Sequence, residues 1–481
     1  MKNSLTLLLC CLGCFLTSTL MAQSRMARSE AISMIGELTQ HLLEHHPFAQ
    51  QVSGARTIDS IGRQLEAQLS IVGHNDSLSL LEFLATVAPL QRGTADGHLQ
   101  LVPNPSPATT DSIALRNFPL FLAEMKAGQY VLRSPLPTAM ADTLPAGTPV
   151  LAIDGWRVAP LIEKMAVFGG ANDNGFDRAA RFHTAFNFGR NYQRLEGWRD
   201  SISILVPGSK GQEELHWVKP SRPAQKSSDQ KSSKGATARQ TFSLRLSEDS
   251  SAWILKVRSF SSFSFGGNRN FRKLAREYFE RINASEINQL VVDLRFNTGG
   301  SLSNCSFLYG FLAEEPFPAL TDISSTGPTA GGKGLWNRFG MWLVGGVRKQ
   351  DGTYRQPRET RAKNRVPEKK RFDGQVVVLV NNLTFSAAGL FANYVQGYER
   401  GIIVGDVSGA SNEVVYGGKT LEFPIGEREL FTLKMKNWRL IPANPKPGNL
   451  TPDILVPVRA KDLSSGSPDP QLSRALDSFK S

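Results

Sequence analysis

The sequence predicts an α/β protein: a largely parallel sheet alternating with helices, preceded by a helical region and a β-rich region. Two apolar, β-branched runs, Leu290–Val292 and Val376–Val380, have the composition of strands buried on both faces. An amphipathic helix over 271–282, helices over 303–312 and 386–398, and strands over 252–257, 289–294, 375–381 and 402–405 then alternate along the chain. Upstream the periodicity is different. It is helical over 25–90 and turns to short strands over 115–220.

A chain of 481 residues exceeds one ordinary core. The expected division is a signal peptide over 1–22, a helical domain over 23–112, a β-rich domain over 113–220, a flexible linker over 221–240, a catalytic domain over 241–470 and a tail over 471–481. The signal reading rests on Lys2, the apolar run to Leu20 and the small-residue end Met21-Ala22-Gln23. It implies export to the periplasm or medium of a bacterium, with no stable membrane span after cleavage. Apolar sequence continues past Cys14, so Leu12-Gly13-Cys14 is a weaker lipoprotein signal. Cys10, Cys11 and Cys14 lie in the signal, which leaves Cys305 alone and no internal disulfide.

In the helical region, Ala31, Ile35, Leu38 and Leu42 share one face, and Pro47 stops the helix after His45-His46. A second helix over 78–88 starts at a Ser77 or Asp76 cap. Metal binding by the adjacent histidines lacks a second pair at ligand spacing, so they are assigned to helix capping. In the β-rich region, strands at 128–132, 149–153 and 201–206 accompany a helix over 158–165. The order Val150–Ile153, Asp154-Gly155, Val158–Met165 resembles the core of a PDZ domain, in which a peptide adds to a sheet edge. Residues 219–239 are polar and rich in Lys, Ser and Pro, as a linker is.

Net charge is +12, or +11 once Lys2 leaves. The excess concentrates in 226–234 and 348–371 without a nucleic-acid motif, so no nucleic-acid partner is expected. No metal and no cofactor are implied.

Two segments carry chemistry. Ser386 stands where a strand becomes a helix, so free N–H groups and the helix dipole face its hydroxyl. The bland role there is an N-cap. Gly299-Gly300 closes the strand Leu290–Leu294 in a turn that can present N–H groups to a ligand. A nucleophile and oxyanion donors are what acyl transfer needs.

Asp293-Leu294-Arg295-x-Asn297-x-Gly299-Gly300, Thr384-Phe385-Ser386-Ala387-Ala388 and Thr451-Pro452-Asp453-Ile454-x-Val456, in that order, resemble the C-terminal processing (tail-specific) peptidase family. The resemblance implies a crotonase-like ββα catalytic domain acting on peptides or unfolded proteins through an acyl-enzyme. Ser386 is then the nucleophile, and the N–H groups of Gly299 and Ala387 form the oxyanion hole. The lysine base of tail-specific enzymes is missing from Gly405–Glu413, and Lys419 is a late substitute. The tricorn-like branch instead carries a histidine upstream, and Asp96-Gly97-His98-Leu99 resembles its Asp-Gly-His-Thr segment, making His98 the expected base. That branch's acid near the C-terminal Pro-Asp motif is absent from Ile441–Asn449. Asp96, Asp406 and Glu413 stand as candidates for the orienting partner. The alternative function is a catalytically impaired peptide-binding envelope protein on the same scaffold.

Overall fold

The computed structural model describes residues 25–480 except 50, 72–76, 105–117, 127, 167–169, 171, 176, 197–199, 209–210, 222–238, 326–346, 349–353, 356–366, 459–461 and 463–467. The signal peptide, nearly all of the linker and most of the basic stretch 348–371 lie outside the described residues.

The predicted parallel sheet is present. Strands Trp253–Val257, Gln289–Asp293, Gln375–Val380, Ile402–Gly405 and Ile454–Leu455 run parallel in that order, and Phe242–Leu246 adds antiparallel at the first edge. Leu290–Val292 and Val376–Val380 are almost entirely excluded from solvent, as two covered faces require. One face packs on helices Asn268–Asn283, Leu302–Tyr309 and Ala387–Gly397. The other packs on helix Pro470–Asp477 through Ala475, with Phe479 just beyond it. The expected C-terminal tail is therefore a structural part of the catalytic domain: its Leu472, Ala475 and Leu476 recur at helical spacing and bury their apolar stripe.

The helical region forms Arg28–His45, Val52–Ile71 and Leu80–Thr94. Ser79, not Ser77 or Asp76, caps the third helix, in a reciprocal capping box with Glu82. Among the described residues the β-rich region holds three small sheets and the helix Val158–Met165, as expected, plus unforeseen helices Asp177–Phe186 and Phe188–Glu196.

The expected boundary at 112/113 does not separate two cores. One hydrophobic cluster joins Met34, Phe83, Tyr130, Ile162 and Ile204 to Ile425, Phe431 and Leu433. Those last residues belong to a hairpin absent from the sequence reading, Val415–Ile425 with Phe431–Pro442. The second hairpin strand pairs with Leu320–Ser325 of the catalytic domain on one side. At its start it also pairs with Gln100–Pro103, register Leu433 to Leu101. The chain just after His98 is thus stitched to the catalytic domain by a β-ladder.

Candidate active site

Asn297 organises the glycine turn. Its buried amide donates to Val257 O at 3.0 Å, its Oδ1 accepts from Gly299 N–H at 2.8 Å, and its carbonyl accepts from Phe385 N–H at 3.0 Å. Gly299 has φ 101°, and a Cβ there would lie 2.7 Å from Ser386 Cβ and 2.9 Å from Ala387 N. Gly300, at φ 135°, would meet Ser261 N at 2.2 Å. Only glycine fits this close backbone approach. The expected oxyanion pair needs one correction: the Gly299 N–H is already engaged by Asn297, because a side-chain carbonyl two residues back closes an Asx turn. Ala387, at the first position of its helix, has an amide with no intrahelical acceptor.

Ser386 occupies φ 54°, ψ −124°, a region that non-glycine residues rarely enter. Its side chain makes no capping bond to the helix Ala387–Gly397. The bland N-cap role is therefore not what Ser386 does. The strained elbow sets Ser386 Cβ beside Gly299, while Gly389 lets the following helix approach Ala410, whose Cβ would be 2.3 Å from an added methyl. Cys305 is buried behind this helix, its thiol donating to Ala387 O at 3.1 Å. A structural filler is its role.

His98 lies over Phe385, the residue before Ser386, with ring centroids 4.5 Å apart. Among the described residues no hydrogen bond joins His98 to Ser386. Asp96 answers the question of the orienting acid. Its Oδ1 accepts from the His98 amide at 2.7 Å and lies 3.2 Å from His98 Nδ1, while Oδ2 lies 3.0 Å from His46 Nε2. His46 Nδ1 accepts from Phe48 N–H at 3.2 Å, which assigns the His46 proton to Nε2, pointing at Asp96. Burial by itself would raise the Asp96 pKa. The hydrogen bonds from His46 and His98, with their charge, hold it well below the usual carboxylate range. An ionised carboxylate only accepts, so His98 Nδ1 carries the proton and its Nε2 lone pair is left for a base's work. Sequence reading assigned His46 to capping, and it does stand at the C-cap of helix Arg28–His45, its amide donating to Leu42 O at 3.0 Å. Its ring is in addition fully buried against Asp96 and Tyr416, and the bond to Asp96, fifty residues away in sequence, is one that no local pattern announces.

Asp173 fastens this loop to the catalytic domain. Its two oxygens accept from Gly97 N–H at 2.9 Å and Ser411 N–H at 3.0 Å, and its own amide donates to Gly409 O at 2.9 Å. Burial pushes its carboxyl up to about 7, against the favourable charge of His98 and with the unfavourable charge of Asp96. Carboxylate and imidazole atoms of Asp96, His98 and Asp173 lie within 4.8 Å of one another. The oxygens of this cluster are occupied by N–H donors.

The remaining candidates fall elsewhere. Lys419 is exposed on strand Val415–Ile425, its amide bonded to Asn437 Oδ1, so the substitute-lysine reading is set aside. Asp406 pairs with Arg178 at 2.8 Å and Glu413 is exposed, so neither orients His98. Asp293 braces the glycine turn through two bonds of 2.9 Å to the Arg295 guanidinium, which Asp469 also holds.

An elbow serine, a glycine turn and a carboxylate-held histidine on an α/β sheet place the protein in the class of serine-type hydrolases. Residues 253–456 match the model of Peptidase family S41, a family of serine peptidases. Among solved structures, mature CPAF is 15% identical with a TM-score of 0.57, covering 94% of this chain and 96% of that one. Mature CPAF complexed with lactacystin is 14% identical with a TM-score of 0.59, covering 94% and 98%. At that identity the likeness shows a shared fold across nearly the whole chain, in agreement with a crotonase-like catalytic domain. No curated protein matches the chain in sequence.

Proposed function

We propose that the protein is an exported serine peptidase that cleaves peptide bonds through an acyl-enzyme. Ser386 Oγ attacks the scissile carbonyl while His98 Nε2 takes its proton. Asp96 fixes the His98 tautomer and stabilises the imidazolium, and His46 holds Asp96 from behind. Ala387 N–H, with the Gly299–Gly300 turn, faces the developing oxyanion; Gly299 contributes by sharing its amide between Asn297 and the substrate. His98 then protonates the leaving amine, and water, activated by the same imidazole, releases the acyl group from Ser386.

The observation that carries this reading is the backbone of Ser386, a strained elbow whose hydroxyl is not spent on capping. The experiment is hydrolysis of an unstructured protein such as casein by the purified chain and by Ser386→Ala. Activity surviving the substitution would falsify the assignment. The missing Ser386–His98 bond favours the alternative, a peptide-binding scaffold without turnover. That reading requires saturable peptide binding with no acylation of Ser386 by serine-directed phosphonates. Export is tested by fractionating cells that express the full chain.

A further inference from the structure

Three parallel strands end around the glycine turn: Trp253–Val257, Gln289–Asp293 and Gln375–Val380, side by side in that order. The last leads to Ser386, the middle one to Gly299-Gly300 and the first to 259–267. That third segment is tied to the glycine turn through one residue. Phe260 N–H donates to Gly299 O at 2.9 Å, and Phe260 O accepts from Ser301 N–H at 3.1 Å. Beyond this bridge the chain makes a single 3₁₀ turn, Phe263–Phe265. The amides of Gly266 and Gly267 close it, donating to Phe263 O at 3.1 Å and Ser262 O at 2.8 Å. The three phenylalanines of the segment part ways. Phe260 and Phe265 are buried, Phe265 against Phe242 and Phe271. Phe263 is 93% exposed, more than any other large apolar side chain among the described residues.

A lone exposed aromatic is ordinary on a protein surface; place and rigidity set this one apart. Parallel α/β sheets bind ligands outside the carboxyl ends of their strands, which is where Ser386, Gly300 and Phe263 all stand. We propose that Phe263 is a specificity-determining residue, the wall of a subsite that takes an aromatic or large aliphatic side chain of the peptide substrate. The proposal rests on the peptidase reading and adds a substrate preference to it. Neighbouring strands lie about 4.8 Å apart, so the end of Trp253–Val257 is roughly 10 Å from the end of Gln375–Val380. An extended peptide covers that distance in about three residues, at roughly 3.3 Å each. The favoured side chain therefore lies about three residues from the scissile bond. The turn that carries the ring is anchored from below by buried Phe265, whose carbonyl accepts from Asn270 Nδ2 at 2.8 Å. A ring presented in this way binds without the ordering cost of a loose loop. It recognises an apolar side chain through buried area and edge contacts, with no polar partner required.

The test has a binding arm and a cleavage arm. In the first, full-length Ser386→Ala protein is titrated with two fluorescent peptides of one polar sequence, carrying a single Phe or Ala at the same position. The Phe peptide should bind about tenfold tighter. Adding Phe263→Ala should bring that ratio toward one, and adding Phe263→Trp should preserve it. In the second arm, mass spectrometry of products from the native chain should place the cut about three residues from the Phe, and the side on which it falls tells acyl from leaving segment. Equal affinity for the two peptides overturns the proposal, as does a ratio that Phe263→Ala leaves unchanged. A dimer that Phe263→Ala dissociates, with peptide affinities unmoved, would give the ring to a second copy of the chain and overturn it too. Because the first arm reads binding without turnover, loss of the Phe preference is distinct from failure of the peptidase reading, which shows as hydrolysis surviving Ser386→Ala.

Discussion

His98 rests on the ring of Phe385, one residue before Ser386, although 287 positions separate the two rings in the chain (385 minus 98). Two devices hold it there: the ladder from Gln100–Pro103 to Phe431–Lys434, and the Asp173 carboxyl spanning Gly97 and Ser411. The base is therefore delivered by the tertiary structure to a nucleophile that the catalytic domain presents. Each part of that arrangement has a measurable consequence.

Ser386 should show a trade of stability for activity. Its left-handed backbone costs on the order of 1–3 kcal/mol, which glycine would not bear. Ser386→Gly is expected to raise the urea midpoint, by roughly 1 kcal/mol of stability, while abolishing hydrolysis. Chemical denaturation of the two proteins checks this, and a lowered midpoint would argue against strain at the elbow.

Asp96→Asn should leave the fold in place and cut kcat by about 10²–10⁴, because the amide no longer selects the Nδ1–H tautomer of His98. His46→Gln acts through Asp96, so its expected signature is a shifted pH–rate profile. Lys419→Ala, changing an exposed strand residue, should hydrolyse peptides within about twofold of the native rate.

Gly299→Ala places a methyl 2.7 Å from Ser386 Cβ at a φ of 101°. Loss of more than about 2 kcal/mol of stability and of nearly all activity is expected. A variant of native stability and rate would show that the turn is wider than its backbone indicates.

Asp173 gives a pH dependence with a definite sign. Its folded pKa, about 7, lies above the ordinary value of 3.8. Its contribution to stability is thus fully present below about 4 and is lost as pH rises through about 7. Asp173→Asn mimics the protonated form. The stability difference between native protein and variant should move in the variant's favour between pH 4 and pH 7, as read by denaturant midpoints. A difference constant over that range would mean that the carboxyl titrates normally.

The parallel strands, the glycine turn and the serine elbow were legible because each is written in adjacent residues: β-branched runs buried on both faces, a glycine pair, a serine before small helical residues. Asp96 and His98 were visible as a dipeptide-spaced pair, though the sequence left Asp406 and Glu413 as equal candidates for the acid. His46 caps its helix as read, but its second role, holding Asp96, was invisible because that partner is fifty residues away. The hairpin Val415–Pro442 and the closing helix Pro470–Asp477 were missed as structural elements. The sequence by itself determined the local pieces, since backbone preference and hydrophobic period act over a few residues. Only the tertiary structure decided that Asp96 orients the histidine, that the Gly299 amide is held by Asn297, and that His98 reaches Phe385. Those outcomes depend on ladders and buried hydrogen bonds between distant segments, whose partners no local pattern specifies.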